Sequence, residues 1–389
     1  MKKKNFKLGS VLSVALLLFA AHAGGGFATG NQVNTYFVNL GWTGLISIAV
    51  SMLILMSTIG VCIAIYNKNN FSSYKEVFDY VFHPYEKLTF LFELFFTVMV
   101  LMVISSSVSG SASAISSYFT ISYIPATIFA ASIILILTIL GADFVRKVGS
   151  IMGIVILVAS LLVYAVGTFY GENIFSVLYT DFKLNSLVNF PKAILTGILY
   201  AGFQCVQIPG MLPCSKVLKS KEDVKKSMKI SYLINTLALV LSFNMLLSWE
   251  KYYTSIENGS ILPTLTSINA IGYNWMIVFY AIILILCLIS SAVSITFGLV
   301  NRFENKNIFL KVKNIFLRRF IIAFFVIVFS SSISTVGLTN VVKYGYGYCG
   351  YLGILTSIVP ILTVGVYKLK NNYNKDFIKE RFNNELETA

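Results

Sequence analysis

Four glycines, Gly24, Gly25, Gly26 and Gly30, interrupt an otherwise apolar stretch, and His22 stands two positions before them. Each glycine weakens a helix interior by about 1 kcal/mol relative to alanine. The run therefore predicts a helix that opens, baring backbone N–H and C=O groups. Within a bilayer such groups are tolerated only inside protein or along a cavity. The restarted helix would offer N–H donors to an anion, and the stopped helix would offer carbonyls to a cation. His22 titrates near neutral pH; it reads either as a coupling or ligand-contacting group, or as a neutral ring bonded to a carbonyl. Glu93 lies inside a second apolar stretch, where carboxylates mark function by default. A gate-closing pair with a basic loop residue suits it better than proton coupling.

A second cluster of the same kind follows at 194–213, ILTGILYAGFQCVQIPGMLP. Gly202, Gln204, Gln207, Pro209, Gly210 and Pro213 crowd its second half. Proline lacks the N–H that a helix needs and clashes with the preceding turn, and glutamine is uncommon in lipid. Alone, this reads equally well as a kinked helix with its glutamines bonded to a neighbour. Paired with the first cluster it predicts a second opened helix.

The elements that must carry these residues follow from composition. The chain of 389 residues is 57% hydrophobic and 12% charged, with mean hydropathy +0.78. Soluble domains carry about 25% charged residues, so this is an all-α polytopic membrane protein. Ten spans can be drawn, at about 8–36, 40–66, 86–118, 123–141, 146–170, 189–213, 224–249, 270–300, 315–337 and 346–367, since about 20 apolar residues cross the hydrocarbon core. With the N-terminus inside, 26 of the 30 lysines and arginines fall on the cytoplasmic side; Lys183, Lys192, Lys251 and Lys343 remain outside. This asymmetry predicts cytoplasmic termini, and it accounts for the net charge of +14 without a nucleic-acid partner. The lysine-rich start followed by Ala21-His22-Ala23 imitates a cleavable leader, but the apolar pattern continues past it, so cleavage is not expected.

Ten spans divide as five plus five, and an odd number per half inverts the second half. The reading is one transmembrane domain over 1–389, with repeats at about 8–170 and 189–367 and tails at 1–7 and 368–389. Inverted repeats with broken helices 1 and 6 around a midplane site are the plan of many secondary transporters. The segment from Lys251 to Ile271 is long for a loop and suits a short helix over the outer vestibule.

Other chemistries fit poorly. Two histidines, His22 and His83, and five cysteines form no metal-spaced set, and no nucleophile motif argues for an enzyme. The GYG within 344–348 lacks the pore helix of a channel filter and reads as an interfacial aromatic cluster.

The segment GGGFATGNQ, residues 24–32, resembles the GAGFATGQE signature of the YkvI-type bacterial membrane proteins. Those are regarded as amino acid permeases of the leucine-transporter fold, near the amino acid–polyamine–organocation superfamily. Asn31-Gln32 replaces the Gln-Glu of that signature, removing an acidic residue. The resemblance implies that the N–H groups of Gly25 and Gly26, with Phe27 beside them, face a substrate carboxylate. Carbonyls around Tyr200, Ala201 and Gly202 would meet an ammonium, with Phe203 and Gln204 shaping the pocket. The third span would bring Ser105 and Ser106, from a set that also includes Ser107 and Ser109. Related sodium-coupled carriers place paired hydroxyls on the eighth span, matched here by Ser290 and Ser291. Their partners would be carbonyls of Ala20, Ala23 and Cys287 around a sodium ion, the one cofactor implied. A packing face of small residues is the alternative reading of that pair. The stretch from Ser150 to Ser160 is uncharged, which favours sodium over a lysine-borne proton.

Together these readings predict a bacterial plasma-membrane secondary transporter for a neutral amino acid or similar small zwitterion, coupled to Na+ or H+. A transporter-like sensor, as in germinant-receptor subunits, is the alternative; the short tails favour transport.

Overall fold

The computed structural model describes residues 9–119, 121–257, 259–260, 262–304, 307–333 and 345–371. Its described elements are all helical. Eight helical stretches are long and apolar enough to cross a membrane: Val38–Lys68, Glu86–Ala112, Ala142–Tyr170, Phe190–Val217, Lys221–Ser248, Asn274–Phe303, Ile315–Ser332 and Gly347–Lys370. Two apolar helices, Ser10–His22 and Tyr123–Ile139, are shorter. The first is shortened by the glycines themselves.

In chain order, α1 (Ser10–His22), α2 (Gly25–Ala28) and α3 (Asn31–Tyr36) replace what the apolar pattern alone would make one span. α1 stops where the Ala23 N–H reaches back to the Phe19 carbonyl, 2.8 Å, and Gly24 turns its N–H onto the His22 carbonyl, 2.7 Å. Gly30 then adopts φ +78°, a left-handed conformation that glycine reaches without steric cost. The opening predicted at the first cluster is therefore present as two separate breaks.

Beyond it run α4 (Gly44–Lys68), the amphipathic α5 (Tyr74–Phe82), α6 (Thr89–Phe119), α7 (Tyr123–Ile139) and α8 (Ala142–Tyr170). α9 (Ile174–Asn185) precedes α10 (Phe190–Gln204) and α11 (Ile208–Cys214). α12 (Lys221–Ser248) starts on a capping box, with Ser220 and Asp223 exchanging side-chain to backbone hydrogen bonds. The 251–271 segment holds α13 (Glu250–Ser255) and α14 (Pro263–Ile271), and the Thr264 N–H of α14 donates to the Thr29 carbonyl beside the break, 3.4 Å. Then follow α15 (Asn274–Phe303), α16 (Asn307–Leu310), α17 (Ile315–Ile333) and α18 (Gly347–Lys370).

The sixth span departs from expectation. It does not open. α10 and α11 are joined by one tightened turn, Cys205–Gln207, whose flanking dihedrals stay helical (Cys205 −60°, −12°; Gln207 −76°, −20°). Pro209 has no N–H for the Cys205 carbonyl, and the Ile208 N–H takes that carbonyl instead in a shorter bond. The glycines serve close packing. A Cβ on Gly353 would lie 2.0 Å from the Gly202 carbonyl oxygen, and one on Gly210 would lie 2.2 Å from the Ser294 carbonyl oxygen. α10 thus meets α18, and α11 meets α15, backbone against backbone.

α1 occupies the centre, packed against α8, α12 and α15. Val14 through Ala20 are at most 3% exposed, as expected for a helix apolar on every side. The GYG expectation also needs correction. Tyr348 is exposed, but Tyr346 is buried, because α18 turns it inward toward α10; Tyr344 lies outside the described residues.

Candidate functional site

A helix leaves its last four carbonyls without intrahelical partners. In α1 these belong to Phe19, Ala20, Ala21 and His22. The turn at Ala23–Gly24 takes two of them, those of Phe19 and His22. The other two are met from α15. The Ser290 hydroxyl lies 2.6 Å from the Ala20 carbonyl and 3.1 Å from that of Cys287, and the Ser291 hydroxyl donates to the Ala21 carbonyl at 2.7 Å. Both serines are buried. Gly24 lets α15 approach: a Cβ there would sit 2.9 Å from Ser291 Oγ.

Of the five residues expected around a cation, Ala20, Cys287 and Ser290 converge directly. Ser291 pairs with Ala21 rather than Ala23, whose N–H instead closes the last turn of α1. The reason lies in the backbone: with the helix ending at His22, Ala21 is one of its unsatisfied acceptors. Two hydroxyls and three carbonyls at the negative end of a helix dipole form an all-oxygen set suited to a hard cation.

A polar chain runs from the break into α10. His22 Nε2 lies 3.0 Å from Tyr200 Oη, Gln204 Nε2 donates to the same oxygen at 3.3 Å, and Gln207 Nε2 donates to Gln204 Oε1 at 2.6 Å. Which of His22 and Tyr200 donates across their contact depends on the imidazole tautomer. The Asn235 side chain of α12 approaches the imidazole, and its amide N–H donates to the Ser231 carbonyl at 2.7 Å. Gln207 Oε1 is buried without a partner among the described residues.

Aromatic rings surround this chain. Phe27 packs between His22, at 6.4 Å, and Tyr164, edge-on at 6.0 Å. Tyr200 meets Phe37 at 4.9 Å and Tyr36 at 5.7 Å, and Phe203 meets Tyr346 at 5.5 Å. On α6, Ser106 Oγ lies 3.4 Å from Tyr346 Oη and 3.0 Å from the Val103 carbonyl. Ser105 and Ser107 are buried beside it. The side chain of Ser109 is not among those described.

The chain has a leucine-transporter-like fold. A Na+-coupled sialic acid symporter, solved substrate-bound and outward-open, superposes with TM-score 0.66 at 13% identity, covering 92% of this chain and 89% of that one. The manganese transporter of Eremococcus coleocola superposes with TM-score 0.56 at 15% identity, covering 93% of this chain and 80% of its own. Both are transporters with a leucine-transporter-like fold, not enzymes. No family model matches the chain, and no curated protein matches it in sequence.

Two expected ligands stand differently from their prediction. The Cys205 N–H points at the carbonyls of Ala201 and Gly202, so those acceptors are engaged inside α10. Glu93 is not part of the cluster. It accepts hydrogen bonds from Arg302 Nε and Nη2 at 3.0 and 2.8 Å. Arg302 is twelve residues beyond Ser290 on α15, about 18 Å along the axis at 1.5 Å per residue.

Sequence reasoning missed Ala21, Tyr36, Tyr164, Asn235 and Tyr346. Ala21 was recoverable from the rule for helix ends once the break was placed. The others are common residue types whose inward orientation depends on tertiary packing.

Proposed function

We propose that this chain is a secondary active transporter for a neutral amino acid or similar small zwitterion, coupled to sodium and working by alternating access around the break after His22. The observation that carries the reading is the pairing of Ser290 and Ser291 with the two carbonyls left over by α1. A break whose negative end faces hydroxyls and whose restarted end presents N–H donors suits a cation and a carboxylate side by side. Two transporters of the same fold support it, one of them a Na+-coupled sialic acid symporter.

In this reading the N–H groups of Gly25, Gly26 and Phe27, the first of α2 and so without intrahelical acceptors, receive the carboxylate. Tyr200 and Gln204 offer side-chain oxygens to the ammonium, in place of the engaged carbonyls of Ala201 and Gly202. Phe27, Phe203 and Tyr346 enclose the apolar part, with Ser106 at its edge. Sodium would be held by the hydroxyls of Ser290 and Ser291 and the carbonyls of Ala20, Ala21 and Cys287; the hydroxyls need only rotate to release those carbonyls. Among the described residues no three His, Cys, Asp or Glu side chains could hold a metal ion together, which disfavours a transition-metal cargo because such ions prefer N, S and carboxylate donors.

The ten-helix, five-plus-five arrangement over about 8–170 and 189–367, with both termini cytoplasmic in a bacterial plasma membrane, completes the proposal. Gly26→Leu tests the site. Its side chain should fill the opening and abolish saturable binding of a neutral amino acid to the purified protein while the folded fraction stays unchanged. Undiminished binding would place the site elsewhere.

A further inference from the structure

α12 carries Lys221, Lys225 and Lys229 at helical spacing, one turn apart on one face. All three are exposed, and among the described residues none is paired with a carboxylate. They stand along one side of a groove of about 740 Å³ between α4 and α12, whose lining contains no acidic residue. Lys68, at the end of α4, lies close enough to Lys221 for the two charges to repel. The acidic neighbours are turned elsewhere: Asp223 is held in the capping box with Ser220, and Glu222 does not line the groove.

Below the lysines the groove is apolar. Met56, Val224 and Met228 form its buried floor, while Leu53 and Leu233 stand exposed along its walls. Of its two wall hydroxyls, on Ser57 and Tyr232, that of Ser57 is satisfied by the Leu53 carbonyl. From Leu53 to Ala64 the α4 wall runs about 16 Å at 1.5 Å per residue. That is about half of a hydrocarbon core of roughly 30 Å, or the depth of one leaflet. Lysines along about 12 Å of the α12 wall at 1.5 Å per residue, over an apolar floor and facing an apolar wall one leaflet deep, match a single molecule with an anionic head and an acyl tail.

We propose that this groove binds an anionic phospholipid, its phosphate held by Lys221, Lys225 and Lys229 and an acyl chain laid between α4 and α12. Basic pockets between membrane helices take such headgroups through charge, and each lysine near the surface adds to the attraction. A second copy of the chain is a poorer occupant, because a two-fold contact through this face would oppose the two lysine rows.

Native mass spectrometry of the detergent-solubilised protein with dioleoyl phosphatidylglycerol or dioleoyl phosphatidylcholine tests the proposal. The wild type should retain the anionic lipid with a preference on the order of tenfold. K221Q/K225Q/K229Q should lose that preference, the corresponding lysine-to-arginine variant should keep it, and K311Q/K313Q, altered in another basic segment, should leave it intact. Ser57→Trp, which blocks the trough and spares the charges, should lower retention of phosphatidylglycerol. Equal retention of the two lipids by the wild type, an unchanged preference in the triple glutamine variant, or a cysteine cross-link between copies through Leu53 and Leu233 would overturn it. Thermal midpoints measured in phosphatidylcholine micelles show whether each variant is folded.

Discussion

Ser290 and Ser291 meet the two carbonyls that α1 leaves behind when it stops at His22, and their hydroxyls are the atoms a cation would compete with. Replacing either with alanine should raise the sodium concentration for half-maximal substrate binding on the order of tenfold, equivalent to about 1.4 kcal/mol. Titrating binding against NaCl at constant ionic strength checks this, and an unaltered sodium response in folded protein counts against the site. Tyr200 is a second point of leverage. Its hydroxyl joins His22 to Gln204, so Tyr200→Phe leaves two buried polar groups short of a partner. A cost of about 1–3 kcal/mol is expected, read as a lower thermal midpoint. At this scale the sequence revealed the glycines and His22 by type and spacing, and the serine pair only through the family resemblance. Tyr346 escaped because nothing in a Tyr-Gly repeat says which ring turns inward.

Among the elements, the first break was legible and the sixth was not, for one physical reason. In the first span three consecutive glycines and Gly30 at φ +78° end one helix and restart the next, and Gly24 also lets α15 approach. Gly202 and Gly210 have close backbone partners in α18 and α15, and the same residue type that permits opening elsewhere permits contact here. That choice depends on surfaces far away in sequence. Gly353→Val tests the packing reading: a Cβ 2.0 Å from the Gly202 oxygen should force α10 and α18 apart at about 1–3 kcal/mol, outweighing the roughly 1 kcal/mol of helix propensity gained on removing a glycine. If the variant melts no lower than wild type, the close contact is not needed. The outer helix α13 gives a pH prediction. Burial, and secondarily the charge of Asp181, raise the Glu250 carboxyl above the ordinary carboxylate range. The folded protein therefore holds that proton more tightly than the unfolded chain, and stability falls as pH rises from the ordinary value to the raised one, then levels off. Glu250→Gln should flatten that part of a melting-temperature profile.

At the scale of the whole molecule, α1 lies between two sets of contacts. α4, α10 and α12 pack together on one side, and α6, α7, α15 and α17 on the other, with α8 touching α1, α12 and α15. The Glu93–Arg302 pair joins α6 to α15 within the second set. The serine contacts of α15, by contrast, tie that set to α1 at its break, and α1 packs in turn against α12 of the other set. Cation binding there would bias how the two sets meet, which is what coupling ion to substrate requires. Membrane class was plain from hydropathy and the lysine–arginine asymmetry, because both are summed over many residues. The relation between the two halves needs the packing as well.

Gradient-driven uptake is the most direct test of the account. Purified protein in proteoliposomes, given a panel of radiolabelled neutral amino acids under an inward sodium gradient, should accumulate at least one of them above its external concentration. Accumulation should collapse when choline replaces sodium, and in the Ser290→Ala/Ser291→Ala double variant. Saturable binding with no accumulation under sodium or proton gradients would contradict transport and make this chain a ligand sensor.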